Sequence, residues 1–106
     1  MNENPVTEVA TLINSNGVRV VEFTIFPHAD GAWHHHSEMH EHCYCLNGCL
    51  TIEIQNAKPI RLNSGNRYEF PAGVTHRIRN EGNQLAKFLV IQGVGTYDFI
   101  QSKDAL

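Results

Sequence analysis

His34-His35-His36-Ser37-Glu38-Met39-His40-Glu41-His42-Cys43-Tyr44-Cys45-Leu46-Asn47-Gly48 is a run that makes chemical sense on extended backbone. On a strand, side chains two apart share a face. His34 and His36 then point one way and His35 the other. Glu41 follows five residues after His36 and can return on the next strand as an oxygen donor. A slip of one residue would reverse that strand, so either Glu41 or the pair His40 and His42 faces inward. His76 stands far downstream, behind Pro71-Ala72-Gly73. The chain has seven histidines, six of them between His28 and His42. Neutral imidazole is the commonest side-chain ligand for divalent transition metals, so the cluster and its distant partner point to an ion held by two parts of a sheet.

The period of two continues on both sides of this run. Val18 to Phe26 reads as a strand with Val21, Phe23 and Ile25 on one face. Leu50, Ile52 and Ile54 alternate with Thr51, Glu53 and Gln55. Leu85 to Gln92 gives a third strand, with Lys87 outward and Phe88 and Val90 inward. Shorter candidates are Val6–Ile13, Arg67–Phe70, Thr75–Asn80 and Thr96–Ile100. Asn16-Gly17, Asp30-Gly31, Asn63-Ser64-Gly65 and Glu81-Gly82-Asn83 mark turns between them. Asn47-Gly48 predicts a two-residue type I′ hairpin. With no sustained helical period, the chain reads as all-β, an antiparallel sandwich or barrel.

The length of 106 residues fits one domain, small enough that dimerisation would help its stability. A formal charge of −3 argues against nucleic acid, and no Lys/Arg run or long apolar stretch argues for a membrane. Met1 to Pro5 lacks an apolar h-region, so no export signal is read. Cys43, Cys45 and Cys49 cannot all pair within the chain; reduced thiols in a cytoplasm are the expectation. Their C-x-C-x3-C spacing is not that of a zinc finger. Gly93-x-Gly95 lacks a third glycine and a following helix, so no nucleotide cofactor is expected.

Three imidazoles and a carboxylate from His34, His36, His76 and Glu41 suit one divalent ion: Fe, Mn, Ni, Co or Zn. An octahedral ion held this way keeps two positions for other ligands. A tetrahedral zinc would be nearly saturated. The patterns His34-x-His36-x4-Glu41-x6-Gly48 and Gly65-x5-Pro71-x-Gly73-x2-His76-x3-Asn80 resemble the two motifs of the cupins. One glycine of the first motif is replaced by His28, with Gly31 nearer the histidines.

The resemblance implies a double-stranded β-helix, a jelly-roll-like antiparallel barrel. Its core would span about residues 18–92, with the strand at 6–13 and the segment 93–106 peripheral. It implies Glu41 as the inward residue of its strand and the set His34, His36, Glu41 and His76 as metal ligands. It also implies a frequent homodimer, and no single reaction: dioxygenases, isomerases, lyases and plain binding domains share the pattern. The functional expectation is a metal-dependent enzyme on a small oxygenated ligand, with Glu41 a candidate base. A non-catalytic binding or sensing domain and a structural metal clamp are the alternatives. His28, His40, Cys43 and Phe88 are candidates for the substrate pocket, although Cys43 and Cys45 equally fit the core. Arg77 and Arg79 alternate with His76 and should face away from it.

Overall fold

A computed structural model describes residues 6–102. Residues 1–5 and 103–106, which carry the expectation of no export signal and the outer limits of the domain, lie outside the described residues. The elements are β1 (Val6–Ser15), β2 (Val18–Ile25), β3 (Ala29–Asp30), β4 (His34–His35), β5 (His40–Asn47), β6 (Cys49–Ile54), β7 (Ile60–Asn63), β8 (Arg67–Phe70), β9 (His76–Asn80), β10 (Ala86–Gly93) and β11 (Ile100–Gln101). One sheet runs β1-β2-β10-β5-β8 and the other β11-β4-β9-β6-β7, with β3 added alongside β9. Every pairing is antiparallel. Among the described residues no helix is long and apolar enough to cross a membrane.

The alternation read from the sequence sets which side chains meet between the sheets. Val21 and Ile25 of β2, Cys43 and Cys45 of β5 and Phe88 and Val90 of β10 come from one sheet. Leu50 and Ile52 of β6, Leu62 of β7 and Ile78 of β9 come from the other. Burying such side chains contributes about 1.5–3 kcal/mol each relative to leaving them exposed. Cys43 and Cys45 belong to this core, and no cysteine among the described residues is in a disulfide.

Asn16 and Gly17 join β1 to β2 with φ of 54° and 79°, the left-handed pair that a type I′ hairpin requires. Asn47-Gly48 does something else, which corrects the hairpin expectation. Asn47 is the last residue of β5, and only Gly48, at φ 87°, enters the left-handed region. β5 pairs with β10 and β8, whereas β6 pairs with β9 and β7. Gly48 is therefore a corner at which the chain leaves one sheet for the other. A Cβ there would stand 3.2 Å from the Ala86 Cα, so glycine fits both the turn and the close approach. The strand expected at 96–100 is also shorter. Only Ile100 and Gln101 pair, because the preceding residues bond to the Ser37-Glu38 turn, where the Thr96 amide donates to Glu38 Oε1 at 3.0 Å.

Candidate metal centre

Two cross-strand rows meet inside the barrel. In the first sheet Arg19 of β2 lies opposite Gln92 of β10, Gln92 opposite Glu41 of β5, and Glu41 opposite Phe70 of β8. In the second sheet Gln101 of β11 lies opposite His34 of β4, His34 opposite His76 of β9, and His76 opposite Ile54 of β6. His36 follows β4 directly, two residues after His34. The two rows bring the ligand atoms of His34, His36, Glu41 and His76 within 4.8 Å of one another.

Each of the three imidazoles is held in the same way. His34 Nδ1 donates to the Ala32 carbonyl at 2.8 Å, His36 Nδ1 to that of Asp98 at 2.6 Å, and His76 Nδ1 to that of Val74 at 2.9 Å. A carbonyl oxygen only accepts, so Nδ1 carries a proton in all three and Nε2 is the nitrogen turned toward Glu41; in the neutral rings of His34 and His76 its lone pair is left for a ligand. His36 Nε2 lies 2.9 Å from Glu41 Oε1, and His76 Nε2 lies 3.9 Å from Glu41 Oε2. His76 is 1% exposed, yet among the described residues its Nε2 has no hydrogen-bond partner. A buried nitrogen facing a carboxylate across that gap fits a cation between them. Phe70 stacks on the His76 ring at 3.8 Å, and Phe99 on the His34 ring at 4.2 Å, which fixes both ring planes.

The electrostatics divide the four groups. Burial pushes the His34 imidazole down to about 4 and lowers that of His76, so both are neutral donors at pH 7. Burial pulls His36 the same way, but its bonds to Glu41 and the Asp98 carbonyl outweigh this and raise it. Burial alone would raise Glu41. The His36 bond, the adjacent His76 imidazole and the Gln92 bond instead hold its carboxyl below the usual range. An ionised carboxylate at 3% exposure beside neutral imidazoles is a site prepared for positive charge.

A cavity of about 390 Å³ opens over His34, His36 and Glu41. Of the four side chains expected to border a pocket, Phe88 does. The other three correct the expectation. His28 is exposed, with Nε2 2.8 Å from Asn83 Oδ1, and His40 is exposed, its Nδ1 accepting from the Ala72 amide at 3.1 Å. Cys43 is 0% exposed in the core, where burial pushes its thiol well up. Glu41 thus settles the register question, facing inward while His40 and His42 lie on the other side of β5. Arg77 and Arg79 do face outward, paired with Asp30 and Glu53.

The sequence reading missed Arg19, Gln92, Tyr97 and Phe99, all of which line the cavity. Tyr97 and Phe99 belong to the segment expected to be peripheral. They come over the site because the Asp98 carboxylate accepts from the Ser37 amide at 2.8 Å while its carbonyl holds His36. β1, also expected to be peripheral, supplies Val6 and Glu8 to the wall.

A family model described as a cupin domain matches residues 21–92. None of the curated proteins matches the chain. The fold is similar to that of an uncharacterized conserved protein with a double-stranded beta-helix domain from Klebsiella pneumoniae subsp. pneumoniae MGH 78578. The TM-score is 0.82 and the identity 18%, over 92% of this chain and 86% of that one. It is similar to oxalate oxidase in complex with the substrate analogue glycolate, at a TM-score of 0.78 and 19% identity, over 93% of this chain and 56% of that one. It is also similar to a sugar phosphate isomerase from a cupin superfamily of Silicibacter pomeroyi DSS-3, at a TM-score of 0.69 and 21% identity, over 81% and 67%. At these identities the likeness shows the fold, a double-stranded β-helix.

Proposed function

The chain belongs to the cupin family, and from that premise we propose that it holds one divalent transition metal at His34, His36, Glu41 and His76 and acts with it on a small oxygenated molecule. The observation that carries the reading is the shared tautomer. Three backbone carbonyls take the Nδ1 protons, and the opposite nitrogens are left around one buried carboxylate. A divalent ion there would supply Lewis-acid polarisation of a substrate oxygen.

The chain's own residues do the remaining work. Gln92 Nε2 donates to Glu41 Oε1 at 3.0 Å and holds the carboxylate in place. Phe99 packs on the His34 ring and Tyr97 on that of His36, which limits how either ring can turn. Glu41 is the one carboxylate of the group and the candidate base, accepting a proton at a carboxylate oxygen when it is not serving as a ligand. Oxalate oxidase and sugar phosphate isomerase are named for small, oxygen-rich molecules, which agrees with a polar centre at the bottom of a cavity this size.

Elemental analysis of untagged protein comes first, followed by a substrate screen with the metal found, with and without dioxygen. The expected result is about one ion per chain in the wild type, and loss of both metal and turnover in a folded His76→Ala protein. Oxygen consumption would select an oxidative reaction. Full turnover in metal-free His76→Ala protein would overturn the proposal.

A further inference from the structure

Arg19 is the one arginine among the described residues lining the metal cavity. Its Nη1 donates to Gln92 Oε1 at 2.7 Å, and the same amide donates from Nε2 to Glu41 Oε1. Its guanidinium carbon lies 3.8 Å over the Tyr97 ring. Both partners are uncharged. Among the described residues no carboxylate stands within ion-pair distance of Arg19, while Arg67, Arg77 and Arg79 each pair with an acid. Two other acids reach the cavity wall, but Asp30 pairs with Arg77 and Arg79, and Glu8 accepts from Thr11.

Arg19 is half-buried, and the ionised carboxylate of this cavity, Glu41, is engaged by His36 instead, so the guanidinium has no counter-charge in direct contact. A neutral side chain could pin Tyr97 as well, so the charge points to something beyond that packing. The guanidinium has five N–H donors in a planar fork that matches a carboxylate, and Gln92 takes one of them. The anion missing from this wall is most simply brought by the ligand.

We propose that Arg19 anchors the carboxylate of a small organic acid whose second oxygen reaches the metal group. The substrate class is therefore a short hydroxy, keto or dicarboxylic acid. One amide and two hydrogen bonds separate Arg19 from Glu41, so a short acid spans the two. The proposal deepens the metal reading above and rests on it for the second contact only.

The test compares melting shifts and calorimetric binding for glycolate, lactate, malonate and inorganic phosphate, with glycolamide and ethylene glycol as neutral counterparts. Wild type, Arg19→Gln and Arg19→Lys are measured, each with and without the metal found by elemental analysis. The expected result is that acids bind the wild type and their neutral counterparts do not. Arg19→Gln should weaken acid binding at least tenfold with metal content unchanged, and Arg19→Lys should restore part of it. That selectivity for charge is a readout a purely structural Arg19 would not move. Acid binding that survives in Arg19→Gln, equal binding of acids and neutral molecules, binding of phosphate alone, or no binding of any acid would each overturn it. The two readings fail separately. A wild type without metal sinks the metal centre, whereas Arg19-dependent binding of acids still stands or falls on its own titration.

Discussion

The imidazole of His36 is held by the backbone of Asp98, a residue 62 positions later, at 2.6 Å. The Asp98 side chain closes the same loop through the Ser37 amide. The orientation of a candidate ligand is thus set by a segment that belongs to neither sheet.

Asp98→Ala should accordingly weaken metal binding without removing a ligand. The carbonyl remains, but the loop that presents it loses its clasp. Loss of groups that orient ligands typically lowers metal affinity by about 10–100-fold. The lower end of that range is expected here, measured by competition with a chromophoric chelator. Unchanged affinity would show that the loop is held by its other contacts.

Asn80 is 2% exposed and makes three bonds: Nδ2 to the Ile25 and Gln84 carbonyls at 3.2 and 2.7 Å, and Oδ1 from the Gly82 amide at 2.9 Å. It ends the second motif yet touches no metal ligand. Asn80→Ala should cost roughly 2–4 kcal/mol in denaturant unfolding, since it leaves buried partners unsatisfied. Metal stoichiometry in the folded fraction should stay at the wild-type value.

The metal-free protein should lose stability in acid. The His34 value falls from an unfolded 6.5 to about 4 in the folded chain, so between those values only the unfolded chain takes up the proton. Stability therefore declines as pH drops from 6.5 and levels off near 4, by about 3 kcal/mol from this group. His76 is lowered too and adds in the same direction. Glu41 is lowered, so its contribution, present above its unfolded value, is lost at still lower pH. His36 is raised and opposes these effects: its contribution is present below 6.5 and fades as pH rises through its folded value. Urea titrations of chelator-treated protein from pH 4 to 8 check the sum, and His34→Gln should flatten the acid limb.

Loading with the native ion should raise the melting temperature, and chelation should reverse it. Free ion at a thousandfold excess over its dissociation constant adds about 4 kcal/mol. The gain should vanish in His76→Ala, and differential calorimetry with each of the five candidate ions would rank them.

The His/Glu group was legible because strand alternation is local. His34-x-His36 needs only a period of two, and the second motif supplies His76. Gln92 looks like any polar residue near a strand end, and Arg19 like any charge beside a turn. Both reach the site through register between strands far apart in the chain: Gln92 bonds to Glu41 across 51 positions and Arg19 to Gln92 across 73. Local patterns do not encode such pairings. The same gap explains Asn47-Gly48. Its residues suit a type I′ hairpin, and that expectation fails because nothing local says which sheet the next strand joins. Tyr97 and Phe99 escaped notice because the bonds that hold their loop, to Ser37 and Glu38, span 61 and 58 positions.

Glu41 sits on the five-stranded sheet, whereas His34 and His76 sit on the sheet opposite. An ion seated among them would act as a rivet through both layers. Binding it would couple the two sheets, so part of its free energy would appear as resistance of the whole barrel to unfolding.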